Sequence, residues 1–460
     1  VAISAAALLL VAAPLMRGGN RQIALIGLEA IAIAFLLSLS IRTAMVWRRQ
    51  PQRLHSGRGS ALALTILVLS PAWLALVYLV PIPAVLWASL PGREIYPRLL
   101  SDAGIGVGAW LPLSLVPDAT KASLLAGLPL VAAFLAGYFC RLSQLKVLLS
   151  FVAGMAILQT ILGLLQISGG WHSSLFFGME GDRPFGTFAN PNHFANYLAM
   201  ALTGYAWLAS SSPVHSEHGR TVGFSARFAP GPLRALWVSG ASFLVLGILM
   251  SRSRGAIVSG LPAAILAIGV LMLASSRTLS WRATFFLISS VLVVVVALFG
   301  LGALVSRFDL EGLSGSAEVR DLLNKSTLNG AGFFWPFGAG WGTYAAVYPR
   351  FQPAAVAGYV DYAHQDYLQA LLEGGVFSVL AAASFLWLLA SRAIRLSTLA
   401  LRHKVLNSEE MAAAVCGLGL LGFLLHSLVE SNMHIPANAI LAAMLTGAYL
   451  RPLSTLNSSR

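Results

Sequence analysis

His364 stands in a long polar stretch, FGAGWGTYAAVYPRFQPAAVAGYVDYAHQDYLQALLEGG (residues 337–375), within a chain that is otherwise strongly apolar. A histidine titrates near neutrality and can take a proton from an attacking hydroxyl. Asp361 reads as the cap of a following helix whose apolar face is Leu368, Leu371 and Leu372. That puts His364 in the first turn, where the helix dipole favours bound anions. Gly374 and Gly375 weaken an uninterrupted helix at this point. The bland reading is a surface histidine hydrogen-bonded within its own loop, and spacing alone leaves both open.

Arg252 and Arg254 lie in SRSRGA (251–256), where one apolar run ends and the next begins. An arginine at mid-bilayer costs about 2.5–3.5 kcal/mol on insertion scales. Two of them in a short reversal mark either an aqueous cavity with anionic contents or side chains that snorkel to lipid phosphates. Guanidinium groups suit the first case because they stay charged and grip phosphate oxygens in a bidentate way. Arg183 precedes GTFANPNHFANYL, in which Asn190 reads as an N-cap and Pro191 as the first helical residue. Arg183 then hangs above a helix N-terminus, either as an anion site or as a plain loop-to-helix entry. Arg320 and Arg350 are further arginines in a long outward loop. His426 and Glu430 are four apart and so share a helix face. They resemble a metal-ligand pair with no third ligand nearby, or a structural polar clasp. Cys140 and Cys416 are too few for the usual four-ligand zinc site and read as small packing residues.

The elements that must position these residues are membrane spans. The chain has 460 residues, of which 57% are hydrophobic and 10% charged, and this excludes an ordinary soluble domain. Apolar runs long enough to cross about 30 Å of hydrocarbon recur near 1–16, 22–46, 60–83, 121–140, 147–168, 193–210, 235–251, 255–274, 283–305, 365–390, 411–430 and 436–450. The first also reads as a signal-peptide core, though it lacks a basic start. The expected fold is therefore an all-α polytopic membrane protein of about twelve spans. Residues 1–305 form nine of them, 306–364 a folded outward loop or cap, and 365–460 three more spans and a tail. A structureless loop of that length would be unusual, and its aromatics favour a folded cap.

The net charge of +13 is a topology signal. With both ends inside, the inward segments collect Arg48, Arg49, Arg141, Lys146, Arg392, Arg395, Arg402 and Arg451, while the outward ones carry acids such as Asp118, Asp182, Asp309 and Glu318. This is the positive-inside pattern, with anionic membrane lipids rather than nucleic acid as its partner.

Five segments, RPFGTFANPNHFA (183–195), SRSRGA (251–256), GAGWGTYAAVYPRF (338–351), AHQDYLQALLEGG (363–375) and HSLVESNMHIPANA (426–439), together resemble the O-antigen ligase family. That family includes lipopolysaccharide O-antigen ligases and related polysaccharide polymerases. The resemblance implies a glycosyltransferase of the GT-C type in the bacterial inner membrane. It would move a glycan from an undecaprenyl diphosphate carrier to a sugar hydroxyl, on a glycan or a lipid-anchored sugar, at the periplasmic face. The reaction would be inverting and would use neither metal nor cofactor. By position, Arg254 corresponds to the arginine of the family's SRG motif and His364 to its loop histidine, with Arg183 and Arg320 matching other outward arginines. The chain departs from the pattern at Gln365, where Asn is usual, and at Glu430, where Asp is frequent. Arg252 is an additional basic residue, so the division of labour between it and Arg254 stays open. A transporter or flippase of lipid-linked glycans is the reading from another class, since many spans and intramembrane charges fit it too. Against it, no inverted repeat is legible.

The orientation is testable. An impermeant thiol reagent on intact cells is expected to label Ser316→Cys and to spare Ser408→Cys; labelling of the second would reverse the topology.

Overall fold

Backbone groups in hydrocarbon must find partners within their own segment, so apolar runs of this length fold as helices. The computed structural model describes residues 2–49, 70–106, 108–170, 172–178, 182–211, 232–273, 310–403 and 406–453. Its helices are α1 (Ala2–Leu15), α2 (Gln22–Arg49), α3 (Ser70–Leu79), α4 (Ala84–Ser89), α5 (Tyr96–Asp102), α6 (Pro117–Ala126), α7 (Leu128–Phe139), α8 (Leu142–Ser168) and α9 (Pro191–Ser211). They continue as α10 (Pro232–Met250), α11 (Leu261–Leu273), α12 (Leu310–Phe333), α13 (Tyr344–Val347), α14 (Asp366–His403), α15 (Ser408–His426) and α16 (Pro436–Leu450). Two three-residue strands, β1 (Pro81–Pro83) and β2 (Trp110–Pro112), pair antiparallel around α4 and α5.

Among the described residues five helical stretches are long and apolar enough to cross a membrane: Gln22–Met45, Pro117–Phe139, Leu142–Ser168, Asp366–Arg402 and Ser408–His426. Ile3–Leu15, Leu236–Met250, Ala256–Leu271 and Pro436–Leu450 are apolar but shorter. The span expected over 283–305, and the first part of the one over 60–83, lie outside the described residues. The run expected over 193–210 is a helix of a different kind. α9 is buried along most of its length and packs against α8, α10, α11, α15 and α16, so its Asn192, His193, Asn196 and Thr203 face protein. Lower hydropathy is tolerable there because neighbouring helices, not lipid, surround the polar groups.

α7 and α16 pack closely against each other. A Cβ on Gly137 would overlap the Met444 carbonyl, and one on Gly447 the Phe134 carbonyl. Small residues at such a crossing let the two backbones approach and gain dispersion contacts that lipid cannot supply. Where α16 ends, the Arg392 guanidinium of α14 donates to the carbonyls of Tyr449 (2.9 Å) and Arg451 (2.6 Å). A cation at a helix C-terminus satisfies its orphan acceptors and its dipole together.

The described part of the segment expected as a cap, residues 310–364, includes α12, which packs on α14. A separate apolar core of Leu323, Phe334, Tyr344, Tyr348 and Leu372 joins the two. Between α12 and α13 the chain turns at Gly338, with φ 73°, where a Cβ would also meet the Glu373 carbonyl at 2.5 Å. Only glycine meets both demands.

Two local expectations need correction. Asp361 does not cap α14; the helix begins at Asp366, and the Gln365 side chain accepts from the Leu368 amide at 2.6 Å. His364 therefore precedes the first turn. The span expected over 411–430 ends at His426, so His426 and Glu430 do not share a helix face. The Gly374–Gly375 break is present: Gly375 has φ 48° and ψ −136° inside α14.

Gly447→Ala is expected to lower thermal stability in detergent by about 1–3 kcal/mol, the usual range for overpacking. Gly27→Ala in α2, where nothing lies within 4 Å of the new Cβ, is expected to be neutral or stabilising. An equal response at both sites would contradict this crossing.

Candidate active site

The chain direction alternates through α14, α15 and α16, so the start of α14, the end of α15 and the start of α16 meet at one end of the bundle. The start of α9 and the α10–α11 reversal reach the same place. There a cavity of about 180 Å³ is lined by Arg183, Asn192, Arg252, Arg254, Gly255, Arg320, His426, Val429 and Glu430. Arg183, Arg252, Arg254 and Arg320, singled out from distant parts of the sequence, thus share one wall system. His364 is not part of the lining; it reaches the cavity through Glu430.

Glu430 is the hub. Its side chain is 1% exposed, yet it is charged and amply partnered. Oε1 lies 2.6 Å from His364 Nδ1, 3.2 Å from the Ser431 amide and 3.7 Å from His193 Nε2. Oε2 accepts from Asn192 Nδ2 at 2.5 Å and from Arg320 Nη2 at 3.4 Å. Burial alone would push the Glu430 carboxyl up, but the imidazoles of His193 and His364 outweigh it and hold the group well below the usual carboxylate range. The same hydrogen bond raises the His364 imidazole above its ordinary value, against the opposing pull of burial and of Arg320. Donation from Nδ1 to the carboxylate fixes the tautomer and leaves Nε2 as the basic nitrogen.

Each arm has a local cause. In SRSRGA the Ser251 hydroxyl accepts from the Ser253 amide (3.1 Å), and the Ser253 hydroxyl from the Ala256 amide (3.4 Å). Both serines are fully buried, so the serines hold the reversal while the arginines project. Arg252 sits at φ 50° and His364 at φ 52°, a left-handed conformation uncommon for such side chains and one that clusters at functional sites. Gly255 is required because a Cβ there would overlap the His426 ring. The chain then makes a single π turn, Ala256–Gly260, before α11.

Arg183 is placed by two glutamines of α8 whose role the apolar run around them conceals. Gln166 Oε1 accepts from the amides of Phe185 and Gly186, both at 3.0 Å. Gln159 accepts from the Thr187 amide at 2.9 Å. The expected cap follows, with Asn190 Oδ1 accepting from the Asn192 amide at 2.8 Å. That cap starts α9 where Asn192 and His193 can face Glu430, two residues that sequence reasoning passed over.

A second polar chain braces the site. His434 Nδ1 pairs with Asp366 Oδ1 at 2.8 Å, and Asp366 Oδ2 accepts from the Met433 amide at 2.9 Å. Gln369 bridges His434 (3.0 Å) to Glu373 (3.3 Å), which accepts from the amides of Gly342 (2.9 Å) and Tyr344 (3.0 Å). The loop carrying Glu430, the helix following His364 and the glycine turn of the cap are thereby tied together. Arg350 lies apart, its guanidinium 4.4 Å above the Phe333 ring, where it makes a cation–π contact within the cap. Among the described residues no group of three or more His, Cys, Asp or Glu side chains is arranged to hold a metal.

The chain matches no curated protein. One family model does match, over residues 240–383, which include Arg252, Arg254, Arg320 and His364 but not Arg183, His193, His426 or Glu430. Over those residues, which are less than half of the chain, it is similar to the O-antigen ligase family that the model describes.

Proposed function

We propose that the chain is a membrane glycosyltransferase that moves a glycan from an undecaprenyl diphosphate carrier to a sugar hydroxyl at the periplasmic face, with inversion and without a metal. The observation that carries this reading is the convergence of four arginines on one cavity whose wall includes the carboxylate bonded to His364.

In this reading His364 Nε2 takes the proton of the acceptor hydroxyl as its oxygen attacks the anomeric carbon from the face opposite the diphosphate. The new C–O bond forms as the bond to the diphosphate oxygen breaks, and the electron pair leaves with the carrier. Negative charge grows on the departing phosphate, and guanidinium groups already gathered at the cavity stabilise it. That electrostatic work replaces a metal ion. Glu430 holds the imidazole in the tautomer that leaves Nε2 basic and stabilises the imidazolium as it forms. The ion pair with Arg320 couples the acid–base side of the site to the diphosphate side. Inversion follows from a single displacement.

Purified protein in liposomes, supplied with a lipid-linked glycan and candidate acceptors, is expected to join them. His364→Ala should lose about 10²–10⁴-fold in turnover, the usual worth of acid–base assistance, while donor affinity is retained. Arg254→Ala should abolish transfer, with Arg254→Lys retaining a part because it keeps the charge and loses the bidentate fork. Wild-type turnover in His364→Ala removes the base assignment, and a wild-type protein inert with correct substrates removes the enzyme reading in favour of transport.

A further inference from the structure

A second carboxylate touches two other arginines of the cavity. Asp182 Oδ2 lies 3.3 Å from Arg252 Nη1, and Oδ1 lies 3.7 Å from Arg183 Nε. Its circumstances are the reverse of those of Glu430. Where Glu430 is 1% exposed and held by contacts as short as 2.5 Å, the Asp182 side chain is 48% exposed and its contacts are long. Asp182 contacts the guanidinium of Arg252, while the left-handed backbone of that residue is held by the buried serines on either side. It is therefore a charge partner rather than a scaffold.

Four guanidinium groups line the cavity, where Arg320 pairs with Glu430 and Arg252 with Asp182. A diphosphate esterified at both ends carries two negative charges near neutrality, one on each phosphorus. Phosphate oxygens grip a guanidinium bidentately at roughly 2.7–2.9 Å, a better contact than Asp182 makes. A half-exposed carboxylate rehydrates at little cost when it is displaced.

We propose that Asp182 is a displaceable counter-ion that occupies Arg252 and Arg183 when no anion is bound and yields them to the diphosphate of the donor. It rests on the diphosphate reading of the cavity given above. Asp182 weakens binding of the donor and also of the carrier diphosphate left after transfer. That product has one free end and a further ionisation within reach, so it would otherwise be held more tightly than the substrate. The carboxylate returns to the arginines as the product leaves, and turnover gains what affinity loses.

Inorganic pyrophosphate is the probe, measured by calorimetry on the full chain in detergent and as an inhibitor of transfer from a lipid-linked donor. Asp182→Asn is expected to tighten pyrophosphate roughly three- to ten-fold at low salt, the effect of removing one partly screened charge at this distance. The gap should close towards 1 M salt, where the screening length is about 3 Å. Asp182→Ser should act in the same direction, which separates loss of charge from any effect of the amide. Weaker binding in either variant would make Asp182 a positioning residue and overturn the proposal, as would unchanged binding. A wild-type protein that ignores pyrophosphate removes the diphosphate reading itself, whereas a responsive wild type beside unchanged variants removes only the counter-ion.

Discussion

A single buried carboxylate organises this end of the molecule. Glu430 draws donors from α9, from α12, from the turn before α14 and from its own loop. An ionised carboxylate at such depth is prohibitively costly unless it is paired and hydrogen-bonded, and breaking a buried pair by removing one partner typically costs about 3–5 kcal/mol. Segments far apart in the chain must therefore meet at Glu430, and in meeting they bring the arginines and His364 into one place. The interaction that assembles the site is also the one that sets the chemistry of its histidine.

Around this hub the fold separates rigid from adaptable parts. The Asp366–His434 and Gln369–Glu373 contacts tie the glycine turn, α14 and the Glu430 loop into one frame, with each buried carboxylate satisfied by backbone amides. Buried polar networks specify one geometry when every member is satisfied. Arg320 sits on α12, whereas Arg183, Arg252 and Arg254 sit on loops and a short reversal at the cavity, where Asp182 contacts Arg183 and Arg252. In the proposed reaction such a frame would hold the base while the anion contacts exchange.

Much of this was legible in the residues. His364 and the arginines stood out because a charge or an imidazole amid apolar runs needs a reason, and the Asn190–Pro191 cap and the Gly374–Gly375 break follow from local backbone chemistry. Glu430 as a hub was not legible. Spacing placed it on a helix face with His426, but α15 ends at His426, and partners two hundred residues away leave no local trace. Gln159 and Gln166 were hidden for a similar reason: hydropathy averages over a window, and one glutamine in a long apolar helix does not lower it enough to show. α9 read as a span like the others because an apolar run cannot tell lipid from protein as its surroundings. Of the expected spans, five appear as long apolar helices among the described residues and others as shorter ones.

The coupling of Glu430 to His364 is tested most directly by the pH dependence of transfer turnover in the wild type and in Glu430→Gln. A base works only when neutral, so turnover falls as pH drops through its pKa. The hydrogen bond from Glu430 raises that value, so the acid limb of the wild type should lie above the ordinary histidine range. Glutamine removes the charge while keeping the shape, and it leaves burial and Arg320 to pull the value down. The acid limb of Glu430→Gln should therefore move to lower pH while its plateau rate falls. An acid limb that stays in place, or moves to higher pH, would contradict the assignment of His364 as a base tuned by Glu430.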